Sequence, residues 1–300
     1  MNSEVKKVFF IVNRFSGTGF SADLEAMILA RCKDHGVGCA LEYTQGPGHA
    51  TSLARQATDL GYDTVVAVGG DGTVNEVAQA LLHAPASMGI IPKGSGNGLA
   101  RHLGIPMKIN LAVNCLFNSE VIHMDTFRIN EKLSLNVSGI GFDGYIADLF
   151  GGETTRGFQG YTKLVLNEFL NFSEFEAEIT FGDTQLRKKA FVIAIANSSQ
   201  YGNNAKIAPA ASVCDEMLNV SILKKFPGYR LDFIYSFFTG TIDQSAYCET
   251  LRVRDLTISL TAPMSFHIDG EPAGKADAFK VEMVPASLRM LIPCGATGTV

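Results

Sequence analysis

The chain has 300 residues, 46% hydrophobic and 18% charged, with a formal net charge of −5. That length is enough for roughly two domains with substantial cores. The composition is that of a globular chain and excludes a disordered or low-complexity one. With Arg187-Lys188-Lys189 as its most basic run, the chain is not expected to bind nucleic acid. The six cysteines (Cys32, Cys39, Cys115, Cys214, Cys248, Cys294) form no CxxC pair, so they read as scattered thiols in a reducing compartment rather than as a zinc set.

The N-terminal segment MNSEVKKVFFIV is too short and too strand-like for a signal peptide. No apolar run reaches the ~18 residues that span a bilayer. Both point to a cytoplasmic protein. The first predicted strand, 8–12, runs into Asn13 to Gly19 (NRFSGTG), and Ser21 is a plausible N-cap for a helix to His35. An Asn-, Ser- and Gly-containing loop at a strand end can hold a nucleotide through amides and backbone N–H groups; the alternative is an ordinary turn. A strand at 37–43 ends at Thr44, and a helix follows from Gly48 to Leu60, with His49 as a surface or capping residue.

The stretch from Thr64 to Leu82, TVVAVGGDGTVNEVAQALL, is the most informative. A buried strand (Thr64 to Val68) leads into Gly69-Gly70-Asp71-Gly72-Thr73, and Val74, Val77, Ala78, Leu81 and Leu82 follow at helical spacing. Thr73 to Glu76 fits a capping box, which predicts a helix opening at Thr73. Glycines admit a ligand close to backbone N–H groups, and a helix N-terminus favours phosphate. Asp71 would repel phosphate unless a cation or a reacting hydroxyl lay between them, which suggests metal-assisted phosphoryl chemistry. The alternative is a tight turn that Asp71 only caps.

A second unit of the same kind follows. MGIIP (88–92) reads as a buried strand, Lys93-Gly94-Ser95-Gly96-Asn97-Gly98 as its loop, and Leu99 to Leu103 as a short helix stopped at Gly104. In a parallel sheet such loops leave one edge, where ligands bind. Residues 109–117 read as a closing helix. The alternation to about residue 120 indicates a parallel sheet covered on both faces.

Beyond residue 120 short strands dominate. Hairpins are predicted about Asn130-Glu131 (121–128 with 132–137) and about Gly182-Asp183 (175–181 with 186–196). Further strands are predicted at 217–223, 250–260, 264–269, 278–284 and 287–292, and helical stretches near 160–171 and 229–240. This reads as a mainly antiparallel second domain, a sandwich. The expected division is 1–120 and 121–300.

The chain resembles the diacylglycerol kinase catalytic-domain family, which includes soluble bacterial lipid kinases and sphingosine kinases. The resemblance is carried by VNRFSGTG (12–19), GGDGT (69–73) with VNEV, PKGSGNGLARHLGIP (92–106), MDTFRINEKLSLNVSGIGFDG (124–144) and HIDGEPAG (267–274). GGDG also occurs in NAD kinases and phosphofructokinases; PKGSGN and the late DGE favour a lipid kinase.

The resemblance implies a nucleotide-binding α/β domain of the phosphofructokinase and NAD-kinase type plus a β-sandwich, with catalysis in the cleft between them. The tail after about 285 can return to the first domain. It implies ATP and Mg²⁺ as cofactors. Nucleotide contacts would come from Asn13, Thr44, Gly69, Gly70, Gly72, Thr73, Glu76, Gly94, Ser95 and Asn97. Asp71 would hold the metal, Asp125 would lie near it, and Glu271 would be the general base on the acceptor hydroxyl. Lys93 and Arg101 are nearby cations, with solvated surface charge as the alternative reading.

Two departures from the family pattern stand out. Arg14 replaces a proline. Asp215-Glu216-Met217-Leu218-Asn219 replaces a DGxLD-like stretch that binds a structural Mg²⁺, which leaves Asp215 as a weak second metal ligand. The implied substrate is diacylglycerol or a related lipid met at the membrane surface. A kinase of soluble substrates like NAD kinase, a catalytically silent nucleotide-binding regulator, and a homodimer all stay open.

Overall fold

The apolar runs of the first third become parallel strands: β1 (Lys7–Val12), β2 (Gly38–Tyr43), β3 (Thr64–Gly69) and β4 (Ser87–Pro92), in the order β2-β1-β3-β4. Helices α1 (Ala22–Asp34), α2 (His49–Asp59), α3 (Asp71–Leu81), α4 (Gly98–His102) and α5 (Ile109–Leu116) connect or follow them. The structure is a computed structural model that describes residues 6–17, 22–152, 165, 168–227 and 230–296. Gly19, the proposed cap Ser21 and most of the stretch 160–171 lie outside the described residues.

Every residue of β3 and β4 is buried, while β2, at the sheet edge, is only partly so. Helices on both faces of a parallel sheet leave its inner strands no wet side, which is why TVVAV and MGIIP read as unbroken apolar runs. Each fully buried Val or Ile contributes roughly 1.5–3 kcal/mol to this packing.

Two compact units divide the chain: residues up to Thr126 together with those from Pro285 onward, and Phe127–Val284. Strand β5 (Ser119–Ile129) leads out of the first unit. Its hairpin turns at Asn130 and Glu131, both at positive φ, into β6 (Lys132–Ser134). Then come β7 (Val137–Gly141), α6 (Phe142–Gly152), β8 (Phe175–Phe181), β9 (Thr184–Ala190), β10 (Val192–Ala196), β11 (Gln200–Gly202), β12 (Ala205–Lys206) and β13 (Leu218–Leu223). Helix α7 (Leu231–Thr239) and strands β14 (Cys248–Val253), β15 (Leu256–Ile268) and β16 (Glu271–Pro293) complete the second unit, and the last part of β16 belongs to the first.

The second unit is an antiparallel sandwich. Its main path is β14-β13-β10-β7-β15-β16, and the β8–β9 hairpin joins β15 through β8. Strand β10 reads VIAIA because it has a core on each face. Ile193 and Ile195 pack with Phe127, Ile179 and Phe279, while Val192, Ala194 and Ala196 pack with Phe142, Phe191 and Phe233.

Several elements differ from the sequence expectation. The run 186–196 is two strands, because Phe191 leaves the hairpin to donate its N–H to the Leu223 carbonyl and accept from Phe142 N–H. Residues 256–268 and 271–293 are long strands with irregular pairing rather than four short ones. Helix α6 has no counterpart among the predicted elements. Gly144 is there for packing: a Cβ would stand 2.4 Å from the Ser265 carbonyl oxygen.

Candidate active site

Parallel register sets the level at which the glycine loops leave the first unit's sheet. Val12 lies beside Tyr43 and Val68, and Gly69 beside Pro92. Asn13, Thr44, Gly70 and Lys93 therefore emerge at the same edge.

Three of these loops interlock. Lys93 N–H donates to the Gly69 carbonyl (2.8 Å), and Asn97 N–H donates to Asp71 Oδ2 (2.9 Å). Gly70 and Gly94 meet backbone to backbone, so that a Cβ on Gly94 would stand 2.6 Å from Gly70 Cα. Gly17 is at φ +60°, and a Cβ there would lie 2.1 Å from the Lys93 carbonyl oxygen. Asn13 Nδ2 donates to Thr73 Oγ1 (3.0 Å), and Asn13 Oδ1 accepts Phe15 N–H (2.9 Å). Asn13 is thus held in place by the first turn of α3.

Helix α3 begins at Asp71, capped by Gly70, two residues before the expected start. The capping box does not form. Glu76 instead turns its carboxylate outward from α3, accepting Gly48 N–H (2.8 Å) and Ala50 N–H (3.1 Å) at the start of α2. Glu76 holds the neighbouring helix in place through both its carboxylate oxygens. An earlier start of α3 places Asp71 at the first helical position, where a carboxylate is favoured by the helix dipole. The N–H groups of this first turn have no intrahelical acceptor.

Asn97 sits in the left-handed region at φ 51°. Its Oδ1 accepts Gly94 N–H (2.9 Å) and its Nδ2 donates to the Gly94 carbonyl (2.8 Å). The amide expected to contact nucleotide thus folds the loop on itself. Ser95, at the exposed tip, keeps a hydroxyl that bonds no described residue. Arg101 Nε ties Gly96 from below, donating to its carbonyl at 3.1 Å.

Lys93 is not a solvated surface cation. It is buried, and its Nζ donates to the carbonyl oxygens of Ser16 (2.7 Å) and Asn13 (3.4 Å), while burial lowers its pKa. It stiffens the first loop where the family has a proline. Arg14, the replacing residue, lays its guanidinium over the Tyr43 ring at 3.7 Å. Burial, and then the hydrogen bond to Glu25, raises the pKa of the Tyr43 hydroxyl. Thr44 is buried, its N–H donating to the Val12 carbonyl (3.0 Å).

The other carboxylates are placed as follows. Asp125 is buried on β5, and its Oδ1 accepts the N–H of Ala286 (2.7 Å), a residue at φ 47°. Asp215 accepts Met217 N–H (3.0 Å) and the Arg252 guanidinium (2.7 Å). In this structure the Asp215 carboxylate is paired with an arginine, which supplies positive charge at that position. Glu271 is exposed and opens β16 opposite Ile268. Among the described residues no three His, Cys, Asp or Glu side chains gather to hold a metal. A divalent ion beside Asp71 would therefore depend on that carboxylate together with phosphate oxygens and water, an arrangement common for Mg²⁺.

Glycine loops that touch at the end of a parallel sheet, beside a helix N-terminus bearing a carboxylate, define the α/β unit of a nucleotide-dependent kinase, here followed by an antiparallel sandwich. Residues 7–129 match the diacylglycerol kinase catalytic domain, and residues 138–292 match the YegS C-terminal NAD kinase beta sandwich-like domain. The chain belongs to this diacylglycerol-kinase-type family of lipid kinases.

It is 30% identical to the probable lipid kinase YegS-like of Klebsiella pneumoniae (strain 342), over 90% of each chain. It is also 30% identical to the probable lipid kinase YegS-like of Pseudomonas aeruginosa, over 91% of each. A crystal structure of a diacylglycerol kinase from Bacillus anthracis str. Sterne superposes with a TM-score of 0.77, at 19% identity, over 98% of this chain and 99% of the other, and it shares the fold.

Proposed function

We propose that the protein transfers the γ-phosphate of ATP to a hydroxyl of diacylglycerol or a closely related lipid, which it meets at the cytoplasmic membrane surface. The observation that carries this reading is the contact of the β3 and β4 loops at Gly70 and Gly94, with Asp71 bound across it to Asn97. Backbone N–H groups of Gly72 and Thr73 would receive phosphate oxygens, and the Ser95 hydroxyl would add a contact. Asn13, Lys93 and Asn97 fix the loops, so little reorganisation is left for the reaction.

Mg²⁺ arriving with the nucleotide would be held by Asp71 and would neutralise phosphate charge. Glu271 would take the proton of the attacking hydroxyl, a role worth about 10²–10⁴ in rate. Asp125, being buried, supports the return of β16 rather than touching substrate. No helix among the described residues is long and apolar enough to cross a membrane, in keeping with a lipid reached from the surface.

The test is ADP release with Mg²⁺ and, separately, diacylglycerol in mixed micelles, sphingosine and NAD. Diacylglycerol-dependent release is expected. Release driven by NAD, or none with any acceptor, overturns the proposal.

A further inference from the structure

Glu271 is placed by a two-residue reversal in which Asp269 (φ 50°) and Gly270 (φ 91°) both lie at positive φ and Ile268 pairs with Glu271. Such a turn has few internal restraints beyond its strand pair. Here it is gripped from both ends. The buried Asp269 carboxylate accepts Ser134 Oγ (2.7 Å), Asn136 N–H (2.9 Å) and Leu135 N–H (3.0 Å). On the other side His267 Nδ1 accepts the N–H of Gly270 at 3.1 Å.

An imidazole nitrogen that accepts from a backbone N–H carries no proton, so the ring proton of neutral His267 is on Nε2. Nε2 faces Asp143 Oδ2 at 3.2 Å. The same oxygen accepts the Tyr201 hydroxyl (2.9 Å), and Oδ1 accepts Gly144 N–H (2.8 Å). Room for that carboxylate is built in: a Cβ on Gly139 would stand 1.8 Å from Asp143 Oδ2. His267 is itself only 3% exposed. The Tyr201–Asp143–His267 chain runs from two half-buried side chains to the buried imidazole and ends on the N–H of Gly270, the residue before the exposed Glu271.

We propose that His267, oriented by Asp143 and Tyr201, is a positioning residue that fixes the Asp269–Gly270 peptide, the one just before Gly270–Glu271, and so aims the Glu271 carboxylate. The inference rests on the reading of Glu271 as the base. His267 is engaged by the Gly270 N–H and the Asp143 carboxylate and takes no proton from substrate. Its effect should fall on kcat and leave nucleotide binding untouched.

Amide isosteres separate the two ring nitrogens. Asparagine puts an acceptor where Nδ1 stands and preserves the Gly270 bond, whereas glutamine reaches Asp143 and leaves Gly270 N–H unpaired. His267→Gln should lower kcat by about 10- to 100-fold, the scale of a displacement near 1 Å at a reacting group, with the ATP KM within twofold. His267→Asn should restore kcat to within about threefold of wild type.

Equal losses in both variants, or wild-type kcat in His267→Gln, overturn the proposal. Adding His267→Gln to Glu271→Gln should cost nothing further, and a second multiplicative loss overturns it. Glu271→Gln alone decides the underlying reading: an active Glu271→Gln removes the base assignment whatever His267 does. In the wild-type protein, ¹⁵N spectra of the imidazole must show the Nε2–H tautomer, and an Nδ1–H tautomer overturns the proposal even where His267→Gln fails to fold.

Discussion

Replacing Gly94 by alanine tests the loop contact on which the nucleotide site is built. The added methyl would stand 2.6 Å from Gly70 Cα and 2.9 Å from Asn97 Oδ1. Restoring an ordinary 3.4 Å contact with the backbone requires the two loops to part by about 0.8 Å. The Asn97 side chain cannot yield freely, because its two bonds to Gly94 close the loop. Overpacking of this kind costs about 1–3 kcal/mol, which should appear as a modest fall in Tm. The larger effect is on catalysis, since a displacement near 1 Å at a phosphate cradle reduces kcat/KM for ATP by about 10²-fold.

Gly70→Ala is the internal control. Its methyl would stand 3.2 Å from Gly94 Cα, and Gly70 is at φ −91°, a value alanine adopts without strain. The expected order of ATP kcat/KM is wild type, then Gly70→Ala, then Gly94→Ala, measured by coupled ADP release and paired with ATP titration calorimetry. A folded Gly94→Ala with ATP binding within twofold of wild type would refute the argument that this contact shapes the nucleotide site.

Asp71→Asn keeps an acceptor for Asn97 N–H but removes the charge, so turnover should fall by at least about 10²-fold at unchanged Tm; kinetics with saturating Mg²⁺ that stay near wild type would count against Asp71 as the metal-side carboxylate. Glu271→Gln should lower kcat by about two to four orders of magnitude with the ATP KM preserved, and steady-state kinetics that change less than fivefold make the residue structural. Asp125→Ala removes the buried carboxylate that binds the N–H of the exposed Ala286 and should cost about 1–3 kcal/mol in urea unfolding. Asp125→Asn should retain turnover, and its loss at wild-type stability would return Asp125 to the chemistry.

Local patterns carried much of the fold. Buried parallel strands announce themselves as β-branched runs, and the glycine loops as breaks between such runs and helical spacing. The turn at Asn130-Glu131 was legible from Asn130, a residue type that tolerates positive φ, although Glu131 beside it is not. What stayed hidden depends on partners far away in the chain. Glu76 reads as a capping-box residue for its own helix, yet it serves α2, 26 residues upstream at Ala50. Lys93 reads as a cation near the site or on the surface, because nothing local reveals that the Ser16 carbonyl will receive it. Gly139 and Gly144 suppress a helix reading around Asp143, although their lack of a side chain is what lets α6 pack. In the site itself, residue types were recoverable, while the split between those that would touch ligand and those that hold the loops was not.

Strand β4 is buried along its whole length because the last part of β16 lies beside it, in register at Met88 and Met290. During synthesis this neighbour arrives late. About 160 residues separate Thr126 from Pro285, which at ~5–20 residues per second is roughly 8–30 s of translation. Over that interval the emerging α/β unit presents an apolar strand edge with unpaired backbone groups, the kind of surface that recruits other strands. Asp125 likewise waits for Ala286. The intervening sandwich can form meanwhile, so the nucleotide unit, first in order of synthesis, is the last to close. A fragment ending near residue 126 would be arrested at that aggregation-prone stage.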